Sequence, residues 1–189
     1  MHTYASASCN VTVPHNTIDY GRIDIARLHV STPGNLPEQT SEFSIVCRIP
    51  AAVAMRFSDD DRATPAAADA GAIVSPSANA RLGLGTAADR PIGAYSVSLQ
   101  HASARLDGSP AIWLVSSDDG TTWKAVNDDI ALQPGMLVAW SRPGSARPDS
   151  ASNFVGSIRV RAAITSTSSL MMNREINLNG SAALTLVRQ

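Results

Sequence analysis

The segment Tyr95-Ser96-Val97-Ser98-Leu99 decides the fold class of this chain, because apolar side chains and serines alternate along it. A period of two is the spacing of a β-strand with one face on a core and the other toward water. The segment Ile158-Arg159-Val160-Arg161-Ala162 alternates in the same way, with its two arginines facing out, and Leu184 and Leu186 repeat the pattern near the C-terminus. These segments predict antiparallel sheets, each with one buried face.

Short runs of the same kind recur along the chain, separated by turn residues, whereas no convincing stretch carries apolar residues at helical spacing. A dozen short strands without a fixed repeat predict a β-sandwich or barrel and argue against a propeller or solenoid. The predicted strands are 11–13, 18–25, 43–49, 53–57, 81–84, 93–100, 111–116, 122–126, 137–141, 157–164, 176–178 and 182–187.

Connections between the strands also follow from composition. Proline, glycine, serine and aspartate predict long surface loops at 31–41, 58–79 and 142–153. Within the second of these, the alanine-rich segment 63–72 is expected to be a mobile loop, with one helical turn as an alternative, because prolines and a glycine interrupt it. Asp118-Asp119-Gly120 and Asn179-Gly180 are predicted hairpin turns, in which glycine takes positive φ at low cost.

Size and charge limit the class of protein further. The chain has a net charge of −1 and 189 residues, 44% of them hydrophobic, which is enough for one domain with a real core. The sequence shows no clear interdomain linker, so we expect a flexible N-terminus over 1–8 and a single β-sandwich domain over 9–189. Near-neutral charge gives no electrostatic reason to expect a nucleic acid partner. No apolar stretch reaches the ~20 residues of a membrane span, so no membrane insertion is expected. The N-terminus has no signal-peptide pattern, so an exported form would already have lost that segment.

Cys9 and Cys47 are the only cysteines. Cys9 opens the β-like run Cys9-Asn10-Val11-Thr12-Val13, and Cys47 closes the run Phe43-Ser44-Ile45-Val46-Cys47. A disulfide between them would join the first strand to one that follows a long loop. Closing a loop of about 38 residues would stabilise the fold by about 3–4 kcal/mol in the chain-entropy model. A disulfide points to an oxidising compartment, although two free buried cysteines stay an alternative.

Several short motifs occur in a distinctive order along nearly the whole chain. They are Ile18-Asp19-Tyr20-Gly21-Arg22-Ile23, Leu82-Gly83-Leu84-Gly85, Ile92-Gly93-Ala94-Tyr95, the segment 116–123, Leu132-Gln133-Pro134-Gly135 and Glu175-Ile176-Asn177-Leu178-Asn179-Gly180-Ser181-Ala182. In order and spacing they resemble a family of bacterial beta-fimbria-like subunits of uncharacterised function, related to the pilins of the chaperone–usher pathway.

The resemblance implies an immunoglobulin-like, pilin-like antiparallel sandwich whose last strand is incomplete or self-complemented. In such subunits a hydrophobic groove is filled by a periplasmic chaperone and later by the N-terminal extension of a neighbour, through strand addition. The function implied is a non-enzymatic structural subunit of a surface fibre, exported to the periplasm and then to the cell surface or fimbria. Its partners would be other fimbrial subunits, a periplasmic chaperone and an usher.

The chain departs from the family pattern at both ends. Residues 3–8 are small and polar apart from Tyr4, which makes a poor donor strand, and the C-terminal segment Leu186-Val187-Arg188-Gln189 lacks the penultimate tyrosine of many pilins. A trimmed N-terminus, a subunit at a fibre tip and a self-complete domain are therefore alternatives.

One motif resembles a known hairpin. Ser116, Asp118, Gly120, Thr122 and Trp123 fit the Asp-box pattern of sialidases and other β-propeller proteins. Because the motif occurs once, we interpret it as a structural hairpin turn whose aspartate caps turn amides, with a carbohydrate-active role as the alternative.

No catalytic, cofactor-binding or metal-binding residue is predicted. The acidic runs Asp59-Asp60-Asp61 and Asp128-Asp129 are interpreted as solvated loops; the first is a weak calcium candidate without the spacing of an EF-hand. No nucleophile elbow is present. The four histidines have no ligand-like spacing. They are His2, His15, His29 and His101.

The few aromatic residues separate into two groups. Trp113 and Trp140 lie in apolar strands and are predicted core residues. Trp123 and Phe154 are candidate ligand-loop aromatics for a sugar-binding platform. They support the alternative function, a tip adhesin or a carbohydrate- or protein-binding module with a host receptor as partner. A carbohydrate-active enzyme fragment is the third hypothesis.

Overall fold

The computed structural model describes residues 8–24, 28, 30–60, 64–170 and 176–189, so the predicted flexible segment 1–8 lies outside the described residues except for Ser8. The strands are β1 (Cys9–Thr12), β2 (Gly34–Asn35), β3 (Gln39–Asp59), β4 (Leu82–Gly83), β5 (Thr86–Ala87), β6 (Arg90–Pro91), β7 (Gly93–Leu99), β8 (Arg105–Leu106), β9 (Ser109–Pro110), β10 (Ile112–Ser116), β11 (Lys124–Val126), β12 (Ile130–Ala131), β13 (Leu137–Ser141), β14 (Ser150–Ile164) and β15 (Ala182–Arg188). The helical segments are α1 (Ala68–Val74) and the 3-10 turns Ala78–Ala80, His101–Ser103 and Thr167–Ser169.

Strand β3 organises the fold, because its 21 residues belong to both layers. Its first half pairs with β1 and β14, and its second half pairs with β13 and β15. Exposed residues around Pro50 separate the two halves. A proline is tolerated there because Pro50 lies between the ends of β1 and β15, where no partner strand requires an amide. The two strands predicted at 43–49 and 53–57 are therefore one.

The sheet folds into two layers. Layer A has the order β1-β3-β14-β7, with β4 and β12 on the far side of β7, and layer B has the order β15-β3-β13-β10-β11. Every pairing is antiparallel, and the inward faces enclose a continuous apolar core. The chain is an all-β antiparallel sandwich, which confirms the predicted fold class. Its last strand, β15, comes from the chain itself. In the described residues, no helix has the length and apolar character needed to cross a membrane.

Four aromatic residues fill the centre of the core, each at most 1% exposed: Phe43, Trp113, Trp140 and Phe154. The ring centroid of Trp140 lies 4.7 Å from that of Trp113, 5.3 Å from Phe154 and 5.9 Å from Phe43. Gly156 makes this packing possible, because a Cβ there would lie 2.7 Å from ring atoms of both Phe43 and Trp113. The prediction that both tryptophans are core residues is confirmed.

The alternating segments that predicted the fold pair with each other. In the β7–β14 register Val97 lies opposite Val160 and Ser96 lies opposite Arg161, so apolar and polar positions match across the ladder. The polar face is not all solvated, however. Ser96 is 6% exposed, and its hydroxyl donates to the carbonyl of Val74, 2.8 Å away, because α1 covers this part of layer A.

Helix α1 corrects the expectation of a mobile loop over 63–72, of which residue 63 lies outside the described part. From Ala68 to Val74 the chain is helical, and Ala70 and Val74 pack on Ala94 and Ala163 of the sheet. The small side chains that gave the segment no large apolar face allow the helix to lie close to the sheet. Sequence periodicity alone missed it for that reason.

A carboxylate ties α1 to the end of β14. Asp69 accepts hydrogen bonds from the Thr165 hydroxyl at 2.7 Å, the Ala70 amide at 2.8 Å and the Ser166 amide at 3.1 Å. Burial acts to raise the pKa of Asp69, but the hydrogen bonds from Thr165, Ser166 and Ala70 outweigh it and hold the pKa below its ordinary value.

The strand predicted at 18–25 is wrong over its described part, 18–24. Instead the chain turns at Asp19, whose carboxylate Oδ1 accepts the Gly21 amide hydrogen at 2.7 Å. Gly21 has φ +62°, which glycine adopts readily and which breaks an extended strand.

The strand predicted at 176–178 is also wrong, so Asn179-Gly180 is not a hairpin turn. Gly180 serves a different purpose there, since a Cβ would lie 2.7 Å from the ring of Tyr95. Strands also shorten the predicted loops, because β3 begins at Gln39 and β14 begins at Ser150.

Candidate functional site

Both described ends of the chain pair with one edge of β3. The Arg48 amide donates to the Ser8 carbonyl at 3.1 Å, and the Gln189 amide donates to the Ala52 carbonyl at 3.1 Å. Backbone groups of successive strand residues point to opposite sides. Even-numbered residues of β3 therefore present their amide and carbonyl groups to this edge, and odd-numbered residues present theirs to β14 and β13.

No described strand pairs with the same edge ahead of Phe43, and we call residues 39–43 the open edge. Strand β1 ends at Thr12, and continuing its register would place Pro14 opposite Glu42. Proline has no amide hydrogen, which explains why the ladder stops. Among the described residues no backbone group bonds to Thr40 or Glu42 on this side. The Glu42 carbonyl has one hydrogen bond from a side chain, the Ser41 hydroxyl at 3.4 Å.

A cleft of about 340 Å³ adjoins the open edge. On one side it is bounded by the turn segment 15–19, and on the other by the start of β3 and by β14. Ile158 and Val160 contribute half-buried apolar side chains from the inward face of β14. The remaining lining is mostly polar. The lining residues are His15, Thr17, Ile18, Asp19, Gln39, Thr40, Ser41, Ile158 and Val160.

Tyr20 closes the turn segment beside the cleft. Its ring packs against the core, and its hydroxyl is buried without a hydrogen bond to any described residue. Burial raises the pKa of Tyr20 above its ordinary value, so the phenol stays neutral. A buried hydroxyl without a hydrogen-bond partner costs free energy. The turn segment therefore contains a polar group whose hydrogen-bonding capacity no described residue uses.

Ion pairs lie on the opposite, outward face of the same strands. Arg159 contacts Glu38 at 3.0 Å and Asp129 at 2.8 Å, and Arg161 contacts Glu38 at 2.8 Å. These contacts hold the segment before β3 and the β11–β12 connection against β14. On the cleft side, His15 and Asp19 are the only ionisable side chains among the described lining residues.

The predicted disulfide is present. Cys9 and Cys47 are directly opposite in the β1–β3 register, and their sulfurs are bonded at 2.07 Å. Cys47 is 3% exposed, whereas Cys9 is half-buried at the edge. The bond fixes β1 on β3 just beyond the open edge.

The segment from Ser116 to Trp123 forms a turn rich in hydrogen bonds. Asp118 accepts the Thr122 hydroxyl at 2.6 Å, the Thr122 amide at 2.9 Å and the Ser116 hydroxyl at 2.7 Å. These bonds, led by the Thr122 hydroxyl, lower the pKa of Asp118 to about 2. Gly120 has φ +84°, as predicted for this turn. The side chains are used within the turn, which agrees with a structural interpretation.

Trp123 and Phe154 do not form a shared aromatic platform. Phe154 is completely buried, so its prediction as a ligand-loop aromatic is wrong: it lies in a long strand, and its ring packs on Trp140. Trp123 is half-buried and packs on the outward face of layer B, against Ala54, Leu114 and Ala139. A loop position in the sequence hid the fact that β14 begins four residues before Phe154.

The acidic runs and histidines do not converge on a site. Asp129 is committed to the His101 amide at 2.9 Å and to Arg159, and Asp60 accepts the Ser58 hydroxyl at 3.3 Å. Asp61, His2 and His29 lie outside the described residues. Within the described ranges, no three histidine, cysteine, aspartate or glutamate side chains are grouped to hold a metal ion.

Sequence reasoning missed the open edge and the cleft. The one local signal was Pro14, which follows the first predicted strand and ends its ladder. The other half of the site, Ile158 and Val160, looks like ordinary core from the alternating pattern. Only the three-dimensional arrangement leaves these two side chains partly uncovered.

Comparison with protein-family models found no match, and a search of curated proteins likewise found no protein that matches this chain.

Proposed function

We propose that the protein is a non-enzymatic, exported structural subunit of a fimbria-like surface fibre, assembled by strand addition. The observation that carries this proposal is the open edge of β3, where Thr40 and Glu42 present backbone groups without a described backbone partner next to a cleft. An unpaired strand edge is a template for an extended segment of another polypeptide.

The geometry of the cleft suits an added strand. A peptide laid along residues 39–43 would continue the line of β1 and pair with Thr40 and Glu42. Its alternate side chains would enter the cleft of about 340 Å³ and contact Ile158 and Val160. Backbone bonds would supply affinity, and the apolar floor would favour peptides with alternating apolar residues.

The position of the slot differs from that of a missing last strand. Strand β15 already pairs with the second half of β3, from Val53 to Asp59. The proposed slot lies at the first half of the same edge, beyond β1. A donor would therefore add to an edge of β3 whose second half is already occupied by β15.

Export is the second part of the proposal. The disulfide supports it, because such bonds persist in oxidising compartments outside the cytosol. In the proposed route the chain passes through the periplasm to the cell surface or fimbria. Its partners there are other fimbrial subunits, a periplasmic chaperone and an usher.

A synthetic peptide in which valine alternates with threonine tests strand addition. We expect it to raise the melting temperature by mass action, with a stabilisation of about 2.7 kcal/mol at a hundredfold excess over Kd. Amide hydrogen exchange should slow at Thr40 and Glu42. No shift in melting temperature and no protection at millimolar peptide would overturn the proposal.

Thr40 offers a matched pair of variants for the same test. Thr40→Pro removes the outward amide hydrogen from an exposed edge position that carries no ladder bond, so the fold should tolerate it. Thr40→Ala removes only the side chain. We expect the alanine variant to respond to the peptide and the proline variant to lose the response; an equal response in both would argue against pairing at this edge.

A binding module such as a tip adhesin is the second candidate, favoured by the polar lining of the cleft, including His15, Asp19 and Gln39. A glycan array distinguishes it from the first. Specific glycan binding that Asp19→Ala abolishes, without any response to the alternating peptide, would support the adhesin. Binding to the peptide alone would support the fibre subunit.

A further inference from the structure

Strand β15 is an edge strand of layer B, paired with β3 and with no other described strand. The Gln189 amide donates to the Ala52 carbonyl, and the Ser181 carbonyl accepts from the Asp60 amide. The backbone amides and carbonyls of the odd-numbered residues of this strand therefore point toward β3. The backbone amides and carbonyls of the even-numbered residues then point away from β3, toward the free edge of the sheet. In the described part of the chain no group is hydrogen-bonded to these outward amides and carbonyls. The residues that carry them are Ala182, Leu184, Leu186 and Arg188.

Within the described residues, this edge lacks the usual protection against pairing. Exposed edges are commonly blocked by proline, by a bulge or by inward-pointing charge. β15 contains no proline, and its register with β3 is continuous over seven residues. Its single charge, Arg188, stands at the end of the strand. Leu184 and Leu186 are only half-buried along the edge.

We propose that a second copy of this chain pairs with this edge, β15 against β15, antiparallel about a two-fold axis through Thr185. The register follows from which backbone groups point outward. With the axis at Thr185, Leu184 meets the partner's Leu186 and Ala182 meets the partner's Arg188. Both pairs join residues whose backbone amides and carbonyls lie on the free edge. The two-fold axis generates each pair twice, so every free amide and carbonyl of the strand has a hydrogen-bond partner in the second copy.

The side chains agree with this register. Leu184 and the partner's Leu186 lie side by side on the inward face and extend the core across the axis. Thr185 faces the partner's Thr185 on the outward face, a favourable cross-strand pair. Arg188 does not meet another arginine. Moving the axis to Leu184 would place Arg188 opposite the partner's Gly180, outside the strand, and leave its backbone groups unpaired.

The resulting dimer has one continuous sheet running through layer B of both copies. It does not involve the open edge at 39–43, which belongs to the other half of β3. Dimer formation is therefore independent of the proposed strand addition, and the two can fail separately.

Cysteine cross-linking tests the register directly. Thr185 and the partner's Thr185 form a non-hydrogen-bonded pair, whose α-carbons lie about 4.5 Å apart in antiparallel sheets. Cys9 and Cys47 already bridge such a pair in this protein, at 4.0 Å. We expect Thr185→Cys to give a disulfide-linked dimer under mild oxidation. Ala183→Cys, on the same face, should not cross-link alone, because it meets the partner's Val187; mixed with Val187→Cys it should form the heterodimer.

Mass in solution supplies the second measurement. Across micromolar to millimolar concentrations, light scattering should show the mass rise from 19.8 kDa toward twice that value. Thr185→Lys places two like charges on the axis at an exposed position and should keep the protein monomeric, whereas Thr185→Ser should still dimerise. A monomer at every concentration, a dimer that survives Thr185→Lys, or cross-linking of Ala183→Cys alone would each overturn the proposal.

Discussion

Cys9 lies directly opposite Cys47 across the β1–β3 ladder, with their α-carbons 4.0 Å apart and their sulfurs joined. β1 has only four residues, so the disulfide adds a covalent anchor to a short ladder that stops at Thr12. Loosening β1 would lengthen the uncovered part of β3 from residues 39–43 to the whole first half of the strand. We therefore expect loss of the disulfide to lower global stability and to extend the open edge.

Replacing both cysteines by serine should lower the free energy of unfolding by about 3–4 kcal/mol, because the bond closes a loop of 38 residues in the unfolded chain. Urea unfolding measures the loss. Wild-type protein unfolded with a reductant serves as the control and should match the double variant. Equal midpoints for oxidised and reduced protein would contradict the expectation.

Asp118 should make stability depend on acid. Its pKa in the folded protein is about 2, below the ordinary 3.8, because the charged form accepts hydrogen bonds from Thr122 and Ser116. The stabilisation is complete above pH 3.8 and is lost as the pH falls to about 2. We expect the melting temperatures of wild type and Asp118→Asn to differ at neutral pH and to converge only below about pH 2.

A neighbouring carboxylate provides the control for this experiment. Asp119 is exposed and contacts Arg56 at 2.8 Å across the surface, and such pairs contribute little. Asp119→Asn should follow the wild-type profile within error. A constant difference between wild type and Asp118→Asn at every pH would show that the charge on Asp118 is not responsible.

Asp69→Ala should destabilise the protein by about 1–3 kcal/mol, because it leaves the 3% exposed Thr165 without its hydrogen-bond acceptor. The pKa of Asp69 is lowered in the folded state, so its stabilisation is present above the ordinary pKa and declines as the pH falls through the folded value. Denaturant unfolding measures the effect. Asp69→Asn keeps one acceptor oxygen and should lose less stability. An unfolding free energy of Asp69→Ala equal to that of wild type would show that the Asp69 hydrogen bonds do not hold α1 on the sheet.

Tyr20→Phe should leave stability unchanged or raise it by up to about 1 kcal/mol, because it removes a buried hydroxyl that has no described partner. Thermal and urea unfolding give the measurement. Tyr20→Ala is the comparison, and it should destabilise because it also removes the ring that packs on the core. A loss of stability in the phenylalanine variant would reveal a hydrogen bond to that hydroxyl.

Local patterning was sufficient for the main strands. Val97 and Val160 were each predicted to face the core from alternation within their own segments, and they are directly opposite in the sheet. The disulfide could be predicted as a candidate because the chain has only two cysteines, each in a β-like run. Patterning failed at Asp19 and Gly21, where an apolar, strand-like run contains a turn stabilised by a side chain.

Long-range packing decided the remaining features. Ser96 belongs to the polar set of its strand but is buried, because α1 crosses above it. Phe154 precedes a predicted strand in the sequence but occupies the centre of the core, because β14 begins at Ser150. Neither result depends on neighbours within a few residues in the chain.

By itself the sequence determined an all-β chain of alternating strands with one possible cysteine pair, since strand periodicity and cysteine number are local or compositional properties. Tertiary structure alone decided that β1 and β15 share one edge of β3, and that Thr40 and Glu42 have no backbone partner there among the described residues. The physical reason is that each strand can pair on either side. The choice of neighbour depends on burying the inward faces of distant segments together, which no short stretch of sequence encodes.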